Sequence, residues 1–205
     1  MFKKYIYILS FLITLNGVDC KERIVTIGGC VTEIIFALDM GKKVVAVDQS
    51  STIPSKVKEL PQVGYIRSIS SEGILSMFPT KILTTTDIGP KKVIEQINES
   101  GVDFKIFDSP KNFKDILTLI SDISTYLDVE KNGENLKSEL VALNDKLTDL
   151  KKNNKSKPKV VFFMNPSSSS YTAAGSNTKA NYLIEYIGGE NIFSNDFNKY
   201  SKVSK

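Results

Sequence analysis

The most constraining feature of the chain is a unit of strand, glycine turn and helix that recurs along its first half. "RIVTI" (Arg23–Ile27) is a short β-branched run ending in Gly28-Gly29, and "VTEIIFALDM" follows with helical apolar spacing, closed by Gly41 at the expected C-terminal position. "KVVAVD" (Lys43–Asp48) reads as the next strand. An irregular segment follows, and then "SSEGILSMF", a helix with Ser71 as N-cap and Glu72 in its first turn. "KILTTT" (Lys81–Thr86) and "DFKIFD" (Asp103–Asp108) are further strands, separated by a helix that Pro90 opens and Gly101 ends. Strands alternating with helices imply a mostly parallel sheet covered on both faces, with ligands off the carboxyl ends of the strands. Gly28–Thr32, Gln49–Arg67 and Thr86–Pro90 lie at such ends.

From Asn112 to Lys152 the pattern is helical only. Ile116, Leu119, Ile120, Ile123 and Leu127 share one face of a first helix, and Leu136, Leu140, Leu143, Leu147 and Leu150 form the stripe of a long second one. A strand "KVVFFMN", a Ser-rich loop "PSSSSYTAAGSNT", a helix "KANYLIEYIGG" and a tail to Lys205 complete the chain. The part after residue 155 is too small to close a core of its own. At the other end, Lys3 and Lys4 precede an apolar run from Tyr5 to Leu15 that is too short to span a bilayer, as in a secretory signal peptide over residues 1–20. Asp19 stands where a lipoprotein signal takes a small neutral residue, so lipid attachment at Cys20 is disfavoured. Removal of Cys20 leaves Cys30 without a disulfide partner.

Composition narrows the chemistry. The chain has no histidine among its 205 residues, which excludes Ser-His-Asp and Cys-His catalysis and every metal site built on imidazole. The net charge of +4 is spread along the chain, and the basic run "KKNNKSKPK" (Lys151–Lys159) lacks interleaved aromatics, so it reads as a solvated linker and no nucleic-acid partner is expected. Gly28-Gly29 resembles half of a phosphate-binding turn, yet the full glycine spacing is absent and a tight turn is the simpler reading. Cys30, at a helix start, is a nucleophile candidate with no histidine to act as base; a small, partly buried side chain is the plainer account. Glu33, Asp48, Glu72 and Asp87 show no metal-ligand spacing. The hydroxyls of Ser167–Ser170 follow Pro166 as in an ordinary loop. Tyr65, in "LPQVGYIRSISSEG", stands on a segment without periodicity, where covering a neighbouring helix is the ordinary role.

Three stretches, "RIVTIGGCVTEIIFALDMGKKVVAVDQSS", "LPQVGYIRSISSEGILSMFPTKIL" and "TAAGSNTKANYLIEYIGGENIF", together resemble the periplasmic haem-binding proteins of bacterial ABC uptake systems, relatives of the cobalamin and siderophore binding proteins. The resemblance runs from about Arg23 to Tyr200, and "VGYIR" is its specific part. It implies an α/β fold of two doubly wound lobes joined by a long helix, with residues 21–128 as the N-terminal lobe, 129–154 as the linking helix and 155–205 as a partial C-terminal lobe. It implies Tyr65 as the axial ligand of ferric haem iron, supported by Arg67 against its phenolate. Gly29, Cys30, Ser50, Asn165 and Ser168 would line the cleft, and Glu72 would dock on an inner-membrane ABC permease. Haem b is then cargo carried by a monomer in the periplasm, with no chemical step. A hard ferric ion suits anionic oxygen, and an arginine that keeps its charge helps a phenol deprotonate.

The chain departs from that pattern in two ways. The histidine that some members supply from the second lobe is replaced here by Asn165, Pro166 and serines, so Tyr65 is expected to ligate alone. Members also continue past the point matching Lys205, so the second lobe is expected to be truncated. Lys42, Lys43, Arg67 and the serine loop are equal candidates for the propionates. Within the same fold the alternative cargo is cobalamin or a ferric siderophore. From another class, the alternative is a small exported enzyme using Cys30.

Overall fold

The computed structural model describes residues 22–153, 156–164 and 170–204. The N-terminal residues 1–20, read as a signal peptide, therefore lie outside the described residues. Four short strands, β1 (Ile24–Ile27), β2 (Val44–Val47), β3 (Lys81–Thr85) and β4 (Asp103–Phe107), form an all-parallel sheet in the order β2-β1-β3-β4. Alternation along β1 sends Ile24 to one face and Val25 and Ile27 to the other, and in β3 Leu83 and Ile82 divide in the same way. Helices α1 (Gly29–Ala37) and α4 (Phe113–Tyr126) cover the first face through Val31, Ile35, Leu119, Ile120 and Ile123. Helices α2 (Ser71–Leu75) and α3 (Lys91–Glu99) cover the second through Ile74, Val93 and Ile97. Because the helices following the neighbouring strands β1 and β3 go to opposite faces, their turns part at the carboxyl edge and leave a crevice between them.

Two helix boundaries differ from the sequence expectation. Helix α1 stops at Ala37, short of Gly41. The left-handed residue is Asp39 (φ 62°), with the Met40 N–H on the Ile35 carbonyl at 3.0 Å and the Asp39 N–H on that of Phe36 at 3.2 Å. Leu38 and Met40 are buried without being helical, which is why the apolar spacing overran; a Cβ at Gly41 would meet the Phe36 ring. Helix α2 takes Ser70, not Ser71, as N-cap, since the Ser70 hydroxyl accepts from the Gly73 N–H. Gly101 does close α3 in the left-handed region (φ 76°), while Pro90 is its N-cap.

Helix α5 (Glu130–Asn153) has 24 residues and turns back along α4 after Asp128. Beyond it come β5 (Lys159–Val160), β6 (Phe163–Met164), β7 (Ser170–Ala174), α6 (Lys179–Tyr186), β8 (Glu190–Asn191) and β9 (Tyr200–Ser204). The run expected as one strand changes partner midway: β5 pairs parallel with β8, whereas β6 pairs antiparallel with β7. "SYTAA", expected as loop, is the central strand of an antiparallel trio with β6 and β9, and the tail supplies β9. The serines before it and Gly175 after it hid Tyr171 and Thr172, residues with strand preference whose β9 partners are remote in sequence. Among the described residues the buried apolar ones of this region are few, Ala173, Ala174, Ala180 and Ile184, and Phe162, Phe163, Leu183 and Ile187 are exposed.

The close approach of α5 to α4 depends on Gly133, since a Cβ there would collide with the Ser124 side chain. Gly133→Leu is expected to lower stability by about 1–3 kcal/mol through overpacking, read as a lower urea midpoint. An unchanged midpoint would show that the two helices separate at no cost.

Candidate functional site

The crevice is built around Asp48, which follows β2 and is fully buried. Its Oδ1 accepts from the Gly28 N–H at 2.8 Å and the Ser51 hydroxyl at 2.7 Å, and its Oδ2 from the Ser50 N–H at 3.0 Å and the Ser50 hydroxyl at 2.6 Å. A buried carboxylate persists only with its lone pairs engaged, and these four donors engage them. The network continues through the hydroxyl pairs Ser51–Thr32 and Thr32–Thr26, each at 2.7 Å, into α1 and β1. Ser50 also accepts from the Gly29 N–H at 3.3 Å. The Gly-Gly turn thus spends its N–H groups on Asp48 and Ser50, so it is a tight turn rather than a phosphate cradle. Asp48 was the residue sequence reasoning missed. The available signal was "DQSS" directly after a strand, an Asx-type turn signature.

Tyr65 is held by the residues around it. The Val63 N–H donates to the Val47 carbonyl at 2.9 Å and the Gln49 N–H to the Gly64 carbonyl at 2.8 Å, with Gly64 at φ 111°. Val63, Ile66 and Ile69 are buried, and the Ile66 Cδ1 comes within 3.2 Å of where a Gly28 Cβ would lie. A turn closed by the Ser68 N–H on the Tyr65 carbonyl at 2.8 Å then leaves Tyr65 and Arg67 on either side of that anchor. Tyr65 is 45% exposed, Arg67 is exposed, and among the described residues neither side chain's polar end has a hydrogen-bond partner. The Gly89 N–H on the Ile66 carbonyl at 2.9 Å ties this loop to the turn after β3. Glu72 lies exposed in the first turn of α2.

Of the other expected site residues, Gly29, Cys30 and Ser50 gather at the start of α1, with Ser50 committed to Asp48. Asn165 and Ser168 lie outside the described residues. Lys42 and Lys43 precede β2, at the opposite end of the sheet from the crevice, and Lys43 is paired with Glu22 at 2.7 Å. They therefore leave the set of groups that can meet a ligand there. From the second lobe α6 approaches: the Tyr182 hydroxyl accepts from the Phe113 N–H at 2.9 Å, and Lys179 pairs with Asp87 of the β3 turn at 3.7 Å.

Cys30 is exposed at its surface although protein fills much of the space around its sulfur. Burial pushes its thiol above the ordinary value, against an opposing pull from Lys179. A cavity of about 690 Å³ opens beside it, lined by Ile34, Phe36, Ile53, Ile116, Leu136 and Leu140 among others, and neither Tyr65 nor Arg67 lines it. Among the described residues no three His, Cys, Asp or Glu side chains come together as a metal would require.

Two lobes joined by one long helix, with an exposed loop at the carboxyl edge of a parallel sheet, define a helix-linked solute-binding protein. Residues 24–205 match the periplasmic binding protein family, and the chain belongs to that family. The vitamin B12-binding protein of Vibrio vulnificus strain YJ016 is 31% identical, over 96% of this chain and 72% of that protein. Among solved structures, the periplasmic haem-binding protein RhuT from Roseiflexus sp. RS-1, in apo form, superposes with a TM-score of 0.84 at 34% identity, covering 90% of this chain and 71% of that one. The periplasmic haem-binding protein HutB of Vibrio cholerae gives 0.79 at 31%, covering 90% and 70%. BhuT, in complex with two haems, gives 0.83 at 29%, covering 89% and 70%. Family and neighbours are binding proteins rather than enzymes.

Two expectations follow. Asp48→Ala strands the buried Gly28 N–H and the part-buried Ser50 N–H and should cost about 3 kcal/mol, measured by urea unfolding; a loss below a few tenths would mean that water replaces the carboxylate. The Cys30 thiol, held in its protonated form, should react with iodoacetamide at pH 7 more slowly than free cysteine and speed up as pH rises. Reaction as fast as the free thiol would reopen the nucleophile reading.

Proposed function

We propose that this protein captures ferric haem in the periplasm and delivers it to an inner-membrane ABC permease. The observation that carries the reading is the Tyr65-Ile66-Arg67 turn: the buried middle residue fixes two exposed flanking ones, a phenol suited to a hard ferric ion and a permanent cation beside it. Three solved structures of similar fold at 29–34% identity are named haem-binding proteins, which supports the same cargo here. Free tyrosine ionises near pH 10, so binding of the phenol oxygen to ferric iron would displace its proton to solvent, with Arg67 stabilising the resulting phenolate. Tyr65 is the proposed ligand, with Asn165, Pro166 and serines standing where some family members carry a histidine.

Gly29, Cys30 and Ser50 line the cleft from the first lobe, Asn165 and Ser168 are further candidates for its lining, and Glu72 contacts the permease. Residues 1–20 direct export, and the carrier works as a monomer with its lobes meeting at α5. The work is capture and release, with no bond made or broken in the cargo's skeleton. A second reading is supported by the curated relatives named vitamin B12-binding proteins, of which one is 31% identical: cobalamin in the same cleft, with Tyr65 as a wall rather than a ligand.

Titration of the purified protein with hemin, followed by absorbance, tests both readings. Saturable one-to-one binding with a high-spin, phenolate-type spectrum is expected, weakened at least tenfold in Tyr65→Phe. Tight binding of cyanocobalamin with no Soret change on adding hemin would establish the second reading instead.

A further inference from the structure

We infer that Lys179 is the second lobe's receptor for a carboxylate of the cargo, exchanging Asp87 for that carboxylate on binding. The inference rests on the haem reading, haem being an iron porphyrin with two carboxylate arms.

Lys179 is the first residue of α6, where the helix dipole already presents positive charge and a lysine is unfavourable. Thr178 caps the helix, accepting from the Asn181 N–H at 3.1 Å, so Lys179 has no part in starting it. Its one salt bridge among the described residues, to Asp87 Oδ2 at 3.7 Å, joins side chains that are 66% and 43% exposed. Pairs that open to water contribute little to stability. Neither helix formation nor ion pairing accounts for a lysine at this position.

The placement does aim the ammonium at the site. Asp87 belongs to the turn after β3 whose Gly89 holds Ile66, the anchor between Tyr65 and Arg67. Lys179 also bears electrostatically on Cys30 at the start of α1, as does Asp87. Both partners thus stand at the carboxyl edge of the sheet. The direction is held by the rest of α6: Tyr182 is tied to the Phe113 N–H, the Tyr186 ring stacks on Phe113 at 6.1 Å, and Lys151 donates to the Tyr186 carbonyl at 2.7 Å. Among the described residues the ammonium's only contact is this water-exposed pair with Asp87, so an incoming carboxylate can take Asp87's place. Among the other candidate cations, Arg67 serves the phenolate, and Lys42 and Lys43 face away from the crevice.

The test compares hemin with hemin dimethyl ester, both added from dimethyl sulfoxide, on the wild type, Lys179→Gln, Lys179→Arg and Asp87→Asn. Lys179→Gln should weaken hemin about tenfold and leave the ester within twofold, Lys179→Arg should retain hemin affinity, and Asp87→Asn should strengthen hemin by removing the competing carboxylate. Equal hemin affinity in Lys179→Gln and wild type, or equal losses for hemin and ester, would overturn the inference while leaving the haem reading intact. If the wild type binds neither porphyrin, the haem reading fails and this inference fails with it.

Discussion

The rest of the site depends on one buried carboxylate. Asp48 gathers the turn after β1, its own loop after β2 and, through Ser51 and Thr32, the first turn of α1 onto a single charged group. Isolated in that place the charge would be prohibitive; with four donors it becomes a rigid joint. Because the joint consumes the N–H groups of the Gly-Gly turn, those two groups are not available to an anionic ligand. The loop laid over it carries Tyr65 and Arg67, and the Ile66 side chain rests on Gly28 because Gly28 has none.

The second lobe reaches this site through aromatic contacts rather than through a shared sheet. Phe113, Tyr182 and Tyr186 stack where α4 begins, and Tyr186 further bonds Asn144 of α5. Helix α6 is thereby fastened to two helices that are themselves packed on the first lobe. A 24-residue helix is about 36 Å long, so α5 acts as a strut between the two parts. The lobe's own core is thin, and its position is set more by these contacts with α4 and α5 than by its interior.

Where local rules govern, the sequence was legible. The four parallel strands fall within a residue or so of the β-branched runs, Gly101 ends its helix in the left-handed region, and the two-faced core follows from the alternation in "RIVTI". Legibility fell where a contact remote in sequence decides. Asp39 rather than Gly41 ends α1 because buried Leu38 and Met40 need that bend. "SYTAA" becomes a strand because Phe163–Met164 and Tyr200–Ser204 flank it, and neither partner is visible locally. Tyr65 and Arg67 came from family resemblance, yet a physical signal was present: Val63, Ile66 and Ile69 recur every third residue, marking which side chains go down and hence which stay up. Lys179 left no sequence trace, since its meaning lies in Asp87 across the crevice.

The Tyr65-Ile66-Arg67 turn also constrains how such a loop can vary through descent. Its outward and inward residues are told apart only by counting from Val63 and Gly64, as in a strand, but without a ladder to absorb a slip. Replacing one side chain leaves the count intact and changes the chemistry on offer. Inserting or deleting a single residue would move the anchor to the surface and drive a polar group toward Gly28, so this loop can exchange its side chains but not its length.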